Sequence, residues 1–136
     1  MSRYFLAHDT GTGGNKAVLV DEKGEVITIA FVPYSTLYPR LEWAEQDPND
    51  WWQAVVTTTR QVLEQSKVSP NEIIGITHTT QLMGIVPVKG SSFIPLRPAI
   101  IWLDARASKQ ATQLMRKFVS PKVFAAISGT ELTGKD

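Results

Sequence analysis

The sequence contains no cysteine, which excludes disulfide bonds and thiolate metal sites. It also lacks an excess of charge of either sign, because 14 lysines and arginines are balanced by 13 aspartates and glutamates. A nucleic-acid-binding surface usually carries a basic excess, so no nucleic-acid partner is expected. The apolar runs are too short for a signal peptide or a membrane span. These absences favour a globular protein of the reducing cytoplasm with no membrane partner, and 136 residues suffice for about one domain.

The most informative stretch is residues 5–21, where two apolar runs flank a loop with very little side chain. The first run ends in Asp9, and five of the next seven residues are Thr or Gly. In such a loop the backbone N–H groups can approach a bulky anion closely. Asp9 could face that anion through a divalent cation, and Lys16 could add a positive charge. The stretch therefore predicts strand, phosphate-binding loop and strand, with a metal nearby.

Two familiar glycine motifs do not fit this loop. The dinucleotide-binding fingerprint needs Gly at its sixth position and a helix next, whereas Lys16 stands there and the apolar run 17–20 reads as a strand. The P-loop needs Gly-Lys-Ser/Thr at the start of a helix, which is also absent. The remaining alternative is a plain β-hairpin whose glycines only serve the turn. A two-residue turn would suffice for that, and the sequence predicts a longer loop.

The first half of the chain alternates in a way that predicts three strands and one helix. Strands are expected over residues 4–8, 16–21 and 25–32, as an antiparallel meander. After an irregular segment, Asp47 and Pro48 are strong signals for the start of a helix that runs to about Ser66. Its buried face is predicted to contain residues spaced by three and four: Trp51, Trp52, Val55, Val56, Thr59, Val62 and Leu63. The two adjacent tryptophans cannot both face fully inward, so one is expected in the core and the other over the loop around Trp43.

The second half predicts shorter elements. An apolar strand over 73–79 is expected to be buried on both faces, and a further strand is expected over 84–88. Asp104 is predicted to cap a last helix, whose apolar stripe would contain Ala107, Ala111, Leu114, Met115 and Phe118. The last residues, 128–136, are polar and read as a loop cut in the middle.

The two histidines are not predicted to form a metal site, because they are isolated and far apart in the sequence. His8 is expected to point away from the phosphate loop. His78 lies in an apolar strand and is expected to be a core residue with its hydrogen bonds satisfied.

Strands followed by a helix and further strands predict a mixed α/β layer. A first strand with an Asp at its end, followed by a hairpin, is typical of a ribonuclease-H-like or actin-like ATPase domain. We therefore expect a mixed sheet flanked by helices, incomplete at the C-terminus. A ribonuclease-H-like nuclease would share this strand, but its chemistry needs several carboxylates on two metals, and only Asp9 is evident here.

Four motifs in this order resemble the N-terminal domain of FGGY-type carbohydrate kinases. Residues 9–16 are similar to the phosphate-binding opening of that family, and residues 42–52 to its W-x-E-Q-D-P-x-x-W-W segment. Residues 75–84 resemble its G-I-x…Q-x-x-G strand and loop, and residues 97–106 its R-P-A-I-x-W-x-D-x-R segment. The motifs span almost the whole chain, and the xylulokinase-like branch is the most similar.

The resemblance implies transfer of the ATP γ-phosphate to a sugar hydroxyl, with ATP and Mg²⁺ as cofactors. It assigns the phosphates to Asp9, Gly11, Thr12, Gly13 and Lys16, with the metal on Asp9. It assigns the sugar to Gln81, Leu82, Met83, Trp102 and Asp104. Trp102 would offer a ring face, Asp104 would accept hydrogen bonds from hydroxyls, and Arg106 would orient Asp104.

The sequence departs from the family pattern in the sugar pocket. Xylulokinases carry Gln-Met-His-Gly, and glycerol kinases Gln-Arg-Glu, where this chain has Gln81-Leu82-Met83-Gly84. A ketopentose such as xylulose is the expected substrate, and gluconate, glycerol or another polyol stays an alternative, as does a binding module without catalysis.

The family's catalytic base is expected beyond position 136, together with the second, nucleotide-binding domain. The chain is therefore expected to be the first part of a longer kinase and to be inactive alone. A homodimer is the oligomer considered for the kinase.

Overall fold

The computed structural model describes residues 3–118 and 121–129. The chain divides into two compact units, which are described separately. The first combines the chain up to Thr36 with Asp47–Gln81, and the second combines Leu37–Gln46 with the residues from Leu82 onward. The helices and strands are, in chain order, β1 (Tyr4–Thr10), β2 (Gly14–Asp21), β3 (Val26–Pro33), β4 (Glu45–Gln46), α1 (Pro48–Ser66), β5 (Ile73–Thr80), β6 (Val88–Lys89), β7 (Ile94–Pro95), β8 (Ala99–Ile100), α2 (Ser108–Phe118) and α3 (Pro121–Ser128).

The first unit is a four-stranded mixed sheet in the order β3-β2-β1-β5, with α1 on one face. β1, β2 and β3 pair antiparallel, which confirms the predicted meander, and β5 lies parallel to β1. Successive residues of a strand point to opposite faces, so Leu6 and Leu19 are buried beneath α1. The core of this unit consists of Leu6, Ala17, Leu19, Ala30 and Val62.

Helix α1 begins and ends where the sequence predicts. The carboxylate of Asp47 accepts a hydrogen bond from the Asn49 N–H at 2.9 Å, and Pro48 is the first helical residue. The helix ends at Lys67, which is in the left-handed region at φ 59° and donates its N–H to the carbonyl of Leu63. Both ends are therefore set by residues adjacent in the sequence.

The predicted buried face of α1 is only partly correct. The buried residues are Ala54, Thr58 and Val62, whereas Trp52 is 64% exposed. α1 packs mainly on β2 and β3, where the sheet presents the small residues Ala17 and Ala30. Small side chains on the helix match this close approach, and the bulky indole of Trp52 lies outside it.

Strand β5 is present as predicted, but its predicted burial on both faces is wrong. It is the edge strand of the sheet, and Ile76 is 70% exposed. The reason is that α1 covers β2 and β3, which lie toward one edge of the sheet, whereas β5 forms the opposite edge.

The second unit contains short strands and two helices. β4 pairs antiparallel with β8, and single bridges add Leu37 to β4 and Ile85 to β8. The strand predicted over 84–88 is therefore reduced to the Ile85 bridge and the start of β6, which pairs with β7. The predicted helix is α2, but it begins four residues after Asp104, so Asp104 does not cap it.

The predicted apolar stripe of α2 is present only in part, since Ala111 is buried and Leu114 is exposed. The side chain of Phe118, which the stripe also included, lies outside the described part of the structure. Helix α3 was not predicted from the sequence, and the predicted C-terminal loop lies, from residue 130 on, outside the described residues. In the ranges that the structure describes, none of the helices combines the length and the apolar character needed to cross a membrane.

Candidate active site

The predicted phosphate loop joins β1 to β2. Thr10 pairs with Asn15, and the Gly11 N–H donates to the carbonyl of Gly14 at 3.0 Å. The ladder thus continues past Thr10 and leaves Thr12 and Gly13 at the tip. The strands leave residues 11–13 between them, and none of these has the positive φ that a two-residue hairpin turn requires, so the loop is longer than such a turn, as predicted.

The glycines of this loop differ in whether the fold leaves room for a side chain at their positions. A Cβ on Gly14 would lie 2.5 Å from Cζ of Phe31 and 2.6 Å from the carbonyl oxygen of Val32, so packing alone requires this glycine. A Cβ on Gly13 would meet nothing within 4 Å. The described glycines with positive φ are Gly24, Gly90 and Gly129, so backbone strain does not require Gly13 either. Gly13 leaves space that the fold does not use.

Asp9 stands beside this space on the sheet face opposite α1. In the register of the sheet its neighbours are Lys16 on β2 and Thr79 on β5, and all three are exposed. Residues opposite one another in adjacent strands point to the same face. The structure therefore brings together two of the predicted phosphate-site residues, the carboxylate of Asp9 and the ammonium of Lys16.

The residues fit a magnesium ion that is bound chiefly by nucleotide phosphates. The described part of the chain contains no cluster of three or more His, Asp or Glu side chains that could hold a metal. Mg²⁺ usually takes one or two carboxylates and completes its octahedron with phosphate oxygens and waters. A single exposed carboxylate at the loop, Asp9, matches that requirement.

A buried polar network supports both ends of the loop from the α1 side, and the sequence analysis missed it. Thr10 donates its hydroxyl to Oδ1 of Asn15 at 2.9 Å. The amide nitrogen of Asn15 in turn donates to Oγ1 of Thr58 on α1 at 2.7 Å, and Thr58 donates to the carbonyl of Ala54. Thr10, Asn15 and Thr58 are all buried, so each polar group needs its partner. The network anchors the loop to the helix.

His8 belongs to the same network, and its partners fix its tautomer. Nδ1 lies 3.1 Å from the amide nitrogen of Asn15, which is a donor, so Nδ1 accepts and the proton is on Nε2. Nε2 is 3.3 Å from Oγ1 of Thr59. Burial, followed by the charge of the adjacent His78, lowers the pKa of His8. His8 therefore lies on the α1 face of the sheet and points away from Asp9, as expected, although it contacts Asn15 at the end of the loop.

His78 is not the core residue that the sequence predicts. Its ring stacks on that of His8 at a centroid distance of 5.4 Å, and its Nε2 lies 2.8 Å from Oγ1 of Thr10. Its hydrogen bonding is as expected, but the residue is exposed because β5 is the edge strand.

We predict that acid destabilises the first unit through His8. A lowered pKa means that the unfolded chain binds the proton more tightly, so stability is full above about pH 6.5 and is lost as the pH falls from there toward the folded-state pKa. NMR titration of the imidazole C–H signals measures this directly. His8 should titrate below about 6.5, and His78→Gln should move that pKa upward. A His8 pKa at or above the ordinary value would contradict the view that burial and the neighbouring His78 disfavour its charged form.

The predicted sugar residues are divided between the two units. Gln81 ends the first unit, where its N–H donates to the carbonyl of Thr10 at 2.9 Å. In the second unit, Ile85 and Ile100 exchange N–H···O bonds of 2.8 and 3.0 Å, which bring the segment after Leu82 beside the strand leading to Trp102. Leu82 and Met83 are largely exposed, and Trp102 is partly exposed. Met83 has φ 56°, an uncommon value for a residue other than glycine.

Asp104 differs from the other predicted sugar residues because it is 3% exposed and its carboxylate is fully engaged. One oxygen accepts from the N–H of Ala44 at 2.7 Å, and Nε of Arg106 contacts both oxygens at 2.8 and 2.9 Å. Burial alone would raise the pKa of Asp104, but the hydrogen bonds from Arg106 and Ala44 lower it overall. The predicted pairing of Arg106 with Asp104 is present, and direct contact of Asp104 with a sugar stays a prediction.

Arg106 is also held by two residues to which the sequence analysis gave no role. Its guanidinium lies 3.7 Å from the centroid of the Trp43 ring and donates to Oε1 of Glu45 at 2.7 Å. Arg97 donates to the same oxygen. Trp43 and Glu45 are the W and E of the W-x-E-Q-D-P segment, so the motif was visible in the sequence although its function as a clamp was not.

Comparison with known proteins shows the family of the chain. Residues 4–134 match the model of the FGGY family of carbohydrate kinases, N-terminal domain. A glycerol kinase of Variovorax paradoxus (strain S110) is 33% identical over 137 residues, which cover 95% of this chain and 28% of that protein. The chain spans about a quarter of the length of the curated relatives it matches.

Solved structures of sugar kinases share the fold. A xyloylose kinase from Brucella ovis superimposes with a TM-score of 0.82 at 29% identity, covering 98% of this chain and 27% of that one. Xylulose kinase from Rhodospirillum rubrum gives a TM-score of 0.83 at 27% identity, with 98% and 27% coverage. The predicted actin-like ATPase fold class is confirmed by these similarities.

Proposed function

This chain belongs to the FGGY family of carbohydrate kinases, and we propose that it forms the first part of the N-terminal domain of an enzyme that transfers the γ-phosphate of ATP to a sugar hydroxyl. The observation that supports this most strongly is the combination of unused space at Gly13 with an exposed carboxylate at Asp9. A hairpin that served only as a turn would have no need of either. No catalytic base is assigned among these residues.

In the proposed site the first unit binds the phosphates. Mg²⁺–ATP, when bound, supplies the transferable phosphoryl group. Asp9 holds the metal, and Lys16, its cross-strand neighbour, adds positive charge. The backbone at Thr12 and Gly13 approaches the phosphate. Gly11 contributes the shape of the loop, since its own N–H is already donated to Gly14.

We propose that the sugar is bound by the predicted set of residues: Gln81, Leu82, Met83, Trp102 and Asp104. Leu82 and Met83 present apolar side chains where related kinases have polar ones, so the pocket is expected to select by shape as much as by hydrogen bonds. A ketopentose such as xylulose is the proposed substrate, supported by the xylulose kinase structures. Glycerol is the second candidate, because similar sequences are glycerol kinases. The reaction would take place in the cytoplasm, where ATP is available.

The test is ADP release by the complete natural gene product with Mg²⁺ and ATP, across ketopentoses, glycerol, other polyols and aldonic acids. Stimulation by one acceptor is the expected result and names the substrate. A folded protein that binds a sugar from the panel but releases no ADP would instead be a binding module. A folded protein that neither binds nor phosphorylates any of them would overturn the proposal.

A further inference from the structure

Tyr34 contacts the phosphate loop at two points, although no motif in the sequence marks it. It directly follows β3, whose last residue, Pro33, pairs with Gly14 at the start of β2. The hydroxyl of Tyr34 donates to the carbonyl of Gly11, and its backbone N–H donates to the carbonyl of Gly13 at 3.3 Å. One residue therefore binds both sides of the loop tip.

These two hydrogen bonds fix the orientation of two peptide groups. In a trans peptide the C=O and the following N–H point in opposite directions. With the Gly11 carbonyl held by Tyr34, the N–H of Thr12 points away from Tyr34. With the Gly13 carbonyl held in the same way, the N–H of Gly14 also points away. The partial negative charges of both carbonyls are thus turned toward Tyr34, one toward its hydroxyl and one toward its backbone N–H, and the donors of the same peptides toward the other side.

A loop rich in glycine needs such a restraint. Glycine has more backbone freedom than any other residue, so an unrestrained Gly11–Gly14 segment would lose much conformational entropy on binding an anion. Donors that are already aimed at the place where charge develops stabilise a transition state without reorganisation. Burial, followed by the nearby charge of Asp9, raises the pKa of Tyr34 to about 12, so its hydroxyl keeps its proton and remains a donor at physiological pH.

We propose that Tyr34 is a positioning residue that holds the Gly11–Gly13 loop in the conformation that receives the transferred phosphate. The inference rests on the proposed kinase function. It adds to that function a residue outside the loop, since Tyr34 follows the loop by more than twenty positions in the sequence. Through its hydrogen bond to the loop, this residue would determine how well the loop binds ATP.

The test is the Tyr34→Phe variant of the complete gene product, assayed with the sugar that stimulates the native protein. One hydroxyl hydrogen bond corresponds to about a three- to tenfold effect, so the KM for ATP should rise by about that factor while the KM for the sugar stays native. The control is Tyr38→Phe, because Tyr38 is 66% exposed and the change should leave both constants within about twofold. Amide exchange at Thr12 should accelerate in Tyr34→Phe and not in Tyr38→Phe, because only the hydroxyl bond to the Gly11 carbonyl is lost.

If Tyr34 only stabilised the fold, its replacement would reduce the amount of active enzyme and therefore the apparent kcat. It would leave the KM for ATP unchanged. Native KM values for ATP in Tyr34→Phe, with native amide exchange, would overturn the inference and leave the proposed function intact. Absence of sugar-dependent turnover in the native protein would overturn both, and the two failures are therefore distinguishable.

Discussion

Replacing Asp9 with Asn is expected to lower kcat of the complete gene product by about 10²–10³, with little change in its melting temperature. The amide keeps the shape of the side chain but removes the charge that would hold the metal. Asp9 is exposed on the open face of the sheet, so the fold should tolerate the change. Initial rates of ADP release at saturating sugar, with a thermal melt on the same sample, measure both effects.

The matched control for this prediction is Asp50→Asn. Asp50 is also an exposed aspartate of the first unit, in the first turn of α1, and it is expected to retain kcat within about twofold. An Asp9→Asn variant that retains native turnover would show that the metal is not held at the end of β1.

The second large effect is expected on stability, from Arg106→Met. This change leaves the carboxylates of Asp104 and Glu45 buried without the guanidinium that they share. Breaking a buried ion pair by removing one partner costs about 3–5 kcal/mol. The loss should appear as a fall in the free energy of unfolding, measured by urea denaturation with circular dichroism. It should also shift the ¹⁹F signal of fluorotryptophan at Trp43, on which Arg106 stacks.

Arg97→Met provides the comparison, because Arg97 contacts the same oxygen of Glu45 but its side chain is 42% exposed. Exposed ion pairs contribute about 0–1 kcal/mol, so this variant should be nearly as stable as the native chain. Equal losses in the two variants would contradict the view that Arg106 is the central cation of the cluster.

Local signals in the sequence predicted the elements whose ends depend on adjacent residues. Asp47 and Pro48 define the start of α1, and the predicted meander is present as β1, β2 and β3. The buried face of α1 depended instead on which strands lie beneath it, and the side chains of Ala17 and Ala30 could not be assigned to that interface from the sequence. The burial of β5 depended on its position at the edge of the sheet, which an apolar composition does not reveal.

In the candidate site, too, the features set by adjacent residues were predictable and those set by long-range contacts were not. The loop chemistry was visible in one stretch, but its support comes from residues distant in sequence, such as Thr58 beneath Asn15 and Tyr34 beside Gly11. Asp104 was assigned a helix cap from its position before an amphipathic segment. Its carboxylate is bound instead by the N–H of Ala44, sixty residues earlier in the chain, and by Arg106. Long-range partners of this kind follow from the fold and not from spacing.

The most direct test of the account is the kcat/KM for ATP of the Gly13→Ala variant of the complete gene product. The added methyl group would meet no protein atom within 4 Å, so the melting temperature should stay native, and the methyl would occupy the space proposed for the phosphate. A fall of at least about tenfold in kcat/KM is predicted, because misplacing the phosphate removes interactions that stabilise the transition state. Native kcat/KM at a native melting temperature would show that the loop is only a turn.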